Sequence, residues 1–247
     1  MSESGESHAP VNAFSAYAWQ HGALSDAFSA WTDDVSAGAP GTTHFGYVHD
    51  GAVRLESDGR AWTVHAGQYF CVPGRFALRA RNSRGVLMEH AGWRGLFMIG
   101  GPVEQKGRLR YIDRCSDTTL IQPVRRGDPC LNLLYFPPGV VQTAHTHPSD
   151  RLGLVLSGHG TCIARNGDDD ERIALEPGMI FCIHAEGRHY FSTDRGDELR
   201  VLAYHPDSDC GPTDDDHAMI NRTIVDGVSA RNLASIRTRD DATLESS

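Results

Sequence analysis

Short runs of alternating apolar and polar residues recur along this chain, each closed by Gly, Pro, Asn or Asp. Residues 43–49, 52–56, 61–65, 68–72 and 86–90 read this way in the first half; 131–136, 152–156, 160–165, 179–184 and 200–205 do so in the second. A period of two is the mark of a half-buried strand. A turn signal about every eight to twelve residues is the rhythm of a β-sandwich or barrel. The pattern predicts an all-β protein. Helical periodicity is weak. Only residues 24–31 read as a short helix, with Ser25 or Asp26 placed to cap it.

The two halves repeat one another. Gly46-Tyr-Val-His-Asp-Gly51-Ala-Val aligns with Gly153-Leu-Val-Leu-Ser-Gly158-His-Gly, an offset of 107 residues. Ala66-Gly67-Gln-Tyr-Phe-Cys-Val-Pro73 aligns with Pro177-Gly178-Met-Ile-Phe-Cys-Ile-His184, an offset of 111. One unit used twice, with a small change in loop length, accounts for both. The expected organisation is an N-terminal extension over 1–37, a first unit over 38–105, a second over 106–205, and a tail over 206–247 that packs over the barrels or across a partner. The polar stretch 100–107 is the join.

Composition narrows the function classes. The 247 residues, 40% of them hydrophobic, can bury a sizeable core. A formal charge of -9 argues against a nucleic-acid or anionic-membrane partner. No apolar run is long enough for a membrane span, and residues 1–10 carry no signal-peptide core, so a cytoplasmic location is expected. The six cysteines have no CxxC or CxxH spacing and read as free thiols.

The chemistry concentrates in residues 138–158. His145 and His147 stand two apart on an extended segment, so both side chains project the same way. Two imidazoles aimed into one cavity are half of a metal site. A lone histidine would more simply be a satisfied core or surface residue; a pair at this spacing, with a third to join it, favours ligation.

These residues resemble the cupin superfamily. Its first motif reads G-x5-H-x-H-x3/4-E-x6-G; here Gly139, His145, His147 and Gly158 fall in place, and Arg151 stands where the glutamate belongs. Its second reads G-x5-P-x-G-x2-H-x3-N; here Gly178 and His189 fit, His184 replaces the proline, and the inner glycine is displaced to Gly187. The resemblance covers residues 40–205 and implies two tandem cupin barrels of the jelly-roll, or double-stranded β-helix, type. It implies one divalent metal ion on His145, His147 and His189, with Fe(II) favoured and Zn, Mn or Ni as alternatives. In the first half the sequence offsets put Gly38, Pro40 and Leu78 at the ligand positions, none of which can ligate.

Replacing the family's carboxylate with Arg151 leaves the protein ligand set neutral and the metal with its full charge. That favours a small anionic, chelating substrate, whose carboxylate the guanidinium can clamp. The alternative is that Arg151 pairs with Asp150 or Glu186 and only shapes the wall. His184 is the candidate for a base or extra ligand beside the site. Cys182, Gln142, Tyr190 and Tyr204 are candidate pocket residues. A similar three-histidine set occurs in cysteine dioxygenase, the diketone-cleaving dioxygenase and gentisate dioxygenase, which implies a non-heme iron dioxygenase with O2 as co-substrate. The competing readings are a redox-neutral isomerase, cyclase, lyase or amidohydrolase, the last similar in layout to ureidoglycine aminohydrolase, and a non-catalytic metabolite-binding cupin. A homodimer is the common state in the superfamily.

Overall fold

A computed structural model describes residues 14–17, 23–25, 27–166 and 168–238. The chain is built of antiparallel strands, as the alternating pattern predicts. In the first half, the strand Thr42–Asp50 lies between Tyr69–Pro73 and Arg84–Ala91, and Phe28–Trp31 extends the sheet beyond the latter. A second sheet runs Val35–Ala37, Phe76–Ala80, Ala52–Ser57, Arg60–His65. In the second half, Arg151–Gly158 lies between Ile180–Ile183 and Leu199–His205, with Cys130–Phe136 beyond the latter. Its companion sheet runs Asp169–Leu175, Gly160–Asn166, His189–Ser192. The order and pairing of the central strands are the same in the two halves, which differ in the outer strands of their sheets.

The large sheets are buried on both faces, because each carries apolar residues in both registers. In Arg151–Gly158, Leu152, Leu154 and Leu156 join a core that also takes Phe28, Phe45, Tyr47, Val86 and Met88 from the first half. Val155 faces the other way, into the interior of its own half, with Phe136, Phe181, Phe191 and Val201. The first half has its own interior, around Val48, Leu55, Phe70, Phe76 and Leu78. One strand thus separates a core shared by both halves from a private one, and adjacent residues serve different surroundings.

A glycine facing a phenylalanine recurs at the same place in each half. A Cβ on Gly46 would lie 2.1 Å from the Phe70 ring, and one on Gly153 would lie 2.2 Å from the Phe181 ring. Both rings lie across the bare backbone of the neighbouring strand, Gly46 being paired with Phe70 and Gly153 with Phe181. The glycines are there for close approach, not for unusual dihedrals.

The residues read as a short helix are strands. Ala23–Ser25 and Phe28–Trp31 pair with each other, and Phe28–Trp31 pairs with Arg84–Ala91, with Trp31 opposite Gly85. Burial of Phe28 and Trp31 at the two ends of that strand outweighs a weak helical pattern. Asp26, one of the two expected caps, lies outside the described residues. The segment read as an N-terminal extension serves both halves: Phe14–Tyr17 pairs with Ile180–Ile183 in the second, while Phe28–Trp31 belongs to the first.

Pro123–Asp128 and the described tail from Ser208 form a separate small unit. It holds the helix Ala218–Arg222, capped by the His217 side chain, and a hairpin of Ile224–Val225 with Val228–Ser229. No helix among the described residues is long and apolar enough to cross a membrane.

Gly153→Ala is expected to displace the Phe181 ring and lower unfolding free energy by about 1–3 kcal/mol. Gly46→Ala should do the same through Phe70. Chemical denaturation of the two variants tests this, and a loss under 0.5 kcal/mol, on the order of a surface change, would mean the rings yield freely.

Candidate metal centre

After Phe136 the chain crosses the open face of the second half, where two isolated bridges attach it to the strand His189–Ser192: Val141 with Ser192 and His145 with His189. The second is a doubly bonded pair. The His145 N–H donates to the His189 carbonyl at 2.9 Å, and the His189 N–H donates back at 3.0 Å. Residues so paired project side chains from the same face of the ladder. The two ring centroids accordingly stand 4.6 Å apart. His147, two residues on, projects to the same side, 5.0 Å from His145 and 5.2 Å from His189. The Glu186 N–H holds its carbonyl at 2.7 Å. One nitrogen from each of the three rings lies within 4.8 Å of the others.

The donor set fits a divalent metal. Nδ1 of His145 lies 2.8 Å from the Thr143 carbonyl, and Nδ1 of His189 lies 2.9 Å from the Gly187 carbonyl. A carbonyl only accepts, so each Nδ1 carries the proton and each Nε2 keeps its lone pair, the arrangement of a metal-ligating imidazole. Nε2 of His189 is buried with no protein partner. Burial pulls His189 down to about 4, although the Gly187 carbonyl opposes this. Burial, with the Arg151 charge next, pulls His147 down to about 3. Both rings are therefore neutral near pH 7, as ligation requires.

The three histidines line a cavity of about 90 Å³ within the second half, room for a handful of waters or one small molecule. Much of its wall is apolar, from Leu134, Phe136, Phe181, Ile183, Phe191 and Val201. Arg151 also lines it, with its side chain 12% exposed. Its NH1 group donates to the carbonyls of Ser149 and Asp150, each at 3.1 Å, and to the Ser149 hydroxyl, and it lies 3.5 Å from the Asp207 carboxylate. Its Nε is buried and unpartnered. The expected partners Asp150 and Glu186 have other tasks: the Asp150 carboxylate takes the Ala185 N–H, and Glu186 takes the Thr146 hydroxyl.

The structure places some candidates elsewhere. His184 and Cys182 are not part of the cavity wall; on their strand it is Phe181 and Ile183 that line it, and period two turns their neighbours to the opposite face. His184 instead lies 3.6 Å from the Cys182 sulfur, through Nδ1. Tyr204 is in the shared core, bonded to His90 at 2.8 Å, and Tyr190 does not line the cavity. Gln142 does line it, with its amide spent on Phe191 N–H and the Cys115 sulfur.

Four polar residues of the wall went unrecognised in the sequence: Tyr111, Asp117, Asn132 and His205. His205 is two residues past Ala203 and four past Val201, all on the inward face of one strand, and that alternation was the available signal. Burial, then Arg151 and His147, pulls His205 down to about 3. Asn132 approaches it at 3.4 Å, and the Asn132 side-chain oxygen is buried without a partner. Burial raises the Asp117 carboxyl.

Strand pairing corrects the assignment of equivalent positions in the first half. His189 pairs with Ala164 and bridges His145; Phe76 pairs with Ser57 and with Ala37. Phe76 therefore stands where His189 does, not Leu78, and Ala37 stands for His145, not Gly38. His189 lies eight residues past Phe181, whereas Phe76 lies six past Phe70, a difference that a constant sequence offset does not register. His44 takes the place of Arg151, with its Nε2 3.0 Å from the Glu89 carboxylate and its ring 5.0 Å from that of Phe76. Among the described residues the first half holds no group of three ligand-type side chains placed for a metal.

Comparison with known proteins agrees with this architecture. Residues 132–205 match the family model of the cupin domain. No curated protein matches the chain. A glyoxylate-induced protein from Pseudomonas aeruginosa superimposes with a TM-score of 0.57 at 17% identity, over 81% of each chain. A cupin 2 conserved barrel domain protein from Leptotrichia buccalis gives 0.54 at 13% identity, over 77% of this chain and 88% of that one. Oxalate decarboxylase from Bacillus subtilis gives 0.50 at 13% identity, over 83% and 80%. The fold is the all-β cupin fold.

His145→Ala and His189→Ala should each hold one equivalent of metal less than the wild type, measured by elemental analysis of the purified variants; an unchanged stoichiometry would show the ligand set to be wrong. A second expectation concerns pH. His205 sits near 3 in the fold against an ordinary 6.5, so the unfolded chain binds the extra proton. Stability is full above pH 6.5 and is lost progressively as pH falls toward 3. His205→Asn should flatten that part of the stability curve in denaturant titrations across the window; an unchanged slope refutes the buried neutral imidazole.

Proposed function

We propose that this chain is a metal-dependent enzyme made of two tandem cupin units, with one divalent metal, Fe(II) favoured, held by His145, His147 and His189 in the second. The substrate is a small anionic metabolite that chelates the metal, and the reaction is a dioxygenation. The observation that carries this reading is Arg151. It lines the ligand cavity where the family's motif has a carboxylate, and its buried Nε is unpartnered. Three neutral imidazoles and a guanidinium make a site that is strongly positive once a cation is present, and such a site needs an anion.

The metal, when bound, supplies Lewis acidity and, as iron, electron transfer to O2. The protein residues supply the rest. Arg151 receives the substrate's carboxylate through Nε, while Asp207 and the Ser149 and Asp150 carbonyls fix its other arm. Phe136, Phe181 and Phe191 exclude water and pack the carbon skeleton. Asn132 and His205 offer a polar end to the same cavity.

A second reading has one observation of its own. Among the similar structures is an oxalate decarboxylase with Mn(II) centres, a protein that acts on a small dianion. A redox-neutral reaction on a similar anion would use the same Arg151.

Metal content and O2 uptake decide between them. Protein purified without added metal is expected to hold iron and to consume O2 with one member of a panel of diketones, thiols and hydroxy-aromatic acids. Manganese or zinc with turnover but no O2 uptake would establish the second reading. Arg151→Ala should keep its metal and raise KM by about tenfold to a hundredfold, the loss of one charged hydrogen bond. Arg151→Glu should hold metal more tightly and lose activity. An unchanged KM in Arg151→Ala would remove the guanidinium from substrate binding.

A further inference from the structure

Behind the cavity, on the opposite face of the same strand pair, a second donor cluster is assembled. Arg151 is in register with Ile183, and Leu152 with Cys182. That register sets Asp150 beside His184. Cys182 and His184, two residues apart, project together, away from the cavity that Phe181 and Ile183 line. One donor atom each from Asp150, Cys182 and His184 lies within 4.8 Å of the other two. From this geometry we propose a second metal site, for a thiophilic divalent cation of the Zn(II) type, on Asp150, Cys182 and His184.

Three features carry it. The Cys182 sulfur and Nδ1 of His184 are 3.6 Å apart. With bonds of about 2.3 Å to sulfur and about 2.0–2.1 Å to nitrogen, two ligands at a tetrahedral angle stand about 3.6 Å apart. The pair is thus already spaced as one edge of a zinc tetrahedron. Second, the Asp150 carboxylate is oriented: the Ala185 N–H donates to its Oδ1 at 2.8 Å, the kind of outer contact that fixes a carboxylate ligand. Third, access is graded. Cys182 is 5% exposed, His184 is half-buried and Asp150 is exposed. The sulfur is the buried end of the cluster and the carboxylate its exposed end.

The two sites differ in chemistry. His145, His147 and His189 are three neutral nitrogens, whereas a thiolate and a carboxylate at the second site neutralise a divalent cation outright. Sulfur ligation selects for zinc over iron or manganese in their divalent hard-ligand chemistry. Burial, with Asp150 beside it, pushes the Cys182 thiol up to about 12, so the cation must displace a proton on binding. A cation here would also tie the turn from His147 to Arg151 to the strand Ile180–Ile183. That turn carries one ligand of the first site and its guanidinium. Filling the second site would thereby hold the first in shape.

Cobalt(II) titration of the full chain tests the assignment without reference to activity. Thiolate-bound cobalt gives an intense near-ultraviolet charge-transfer band, which a three-histidine site lacks. The band is expected in the wild type, is expected to persist in His145→Ala, and is expected to vanish in Cys182→Ser. No band in the wild type, or a band retained in Cys182→Ser, overturns the proposal. Should Cys182→Ser fail to fold, His184→Gln keeps the thiol and is expected to weaken the affinity read from that band by about tenfold or more; unchanged affinity overturns the proposal equally.

Discussion

The centre depends on one backbone contact, the pair of hydrogen bonds that His145 and His189 exchange across the open face of the second half. Those two bonds fix more than the path of residues 137–148. They set two side chains on one face at a separation that a single cation can span, and period two then delivers His147 to the same place. The carbonyls of Thr143 and Gly187, each two residues before its histidine, turn the rings and choose their tautomer. Ligand geometry here is therefore a property of the ladder. A side-chain change at His145 removes one imidazole of the cluster, whereas a change that frees the segment from its strand disperses all three.

The first half shows what the same ladder does with other residues. Ala37 pairs with Phe76 in the corresponding place, and a phenyl ring with His44, held by Glu89, takes the positions that His189 and Arg151 have in the second half. An aromatic plug contributes burial and close packing, and the polar centre forgoes both. The second half leaves several buried polar atoms without protein partners around one cavity: Nε2 of His189, Nε of Arg151 and the Asn132 oxygen. Each such atom costs on the order of 1–3 kcal/mol unless something satisfies it. The two halves thus differ in what fills this place, and they share the core that runs from Phe28 and Phe45 to Leu154 and Tyr204.

Much of this was legible in the sequence because it rests on local rules. Alternation announces strands, the Gly46 and Gly153 segments announce a repeat, and His145-Thr146-His147 announces a shared direction. What stayed hidden depends on loop length and on distant pairing. His189 lies eight residues past Phe181 and Phe76 only six past Phe70, so Phe76 could not be located by counting. Asn132 and His205 lie on strands that flank the motif without belonging to it, and their inward facing follows only from the register of Cys130–Phe136 with Leu199–His205. Residues 24–31 misled because Phe28 and Trp31 are spaced three apart, a helical interval, while both are buried as ends of a strand.

The strand pair Arg151–Gly158 and Ile180–Ile183 carries the sharpest consequence of period two. Arg151 and Ile183 face a neutral nitrogen site; Asp150, Cys182 and His184 face away from it and bring together sulfur, nitrogen and oxygen. A slip of one residue by the Arg151 strand would turn the Asp150 carboxylate toward the cavity and the guanidinium away from it. Glycine guards against the slip. Gly153 is the position whose missing side chain admits the Phe181 ring, and a one-residue shift either way would press a leucine against that ring. Which of Arg151 and Asp150 faces the cavity thus depends in part on a contact between a glycine and a phenylalanine that carry no charge at all.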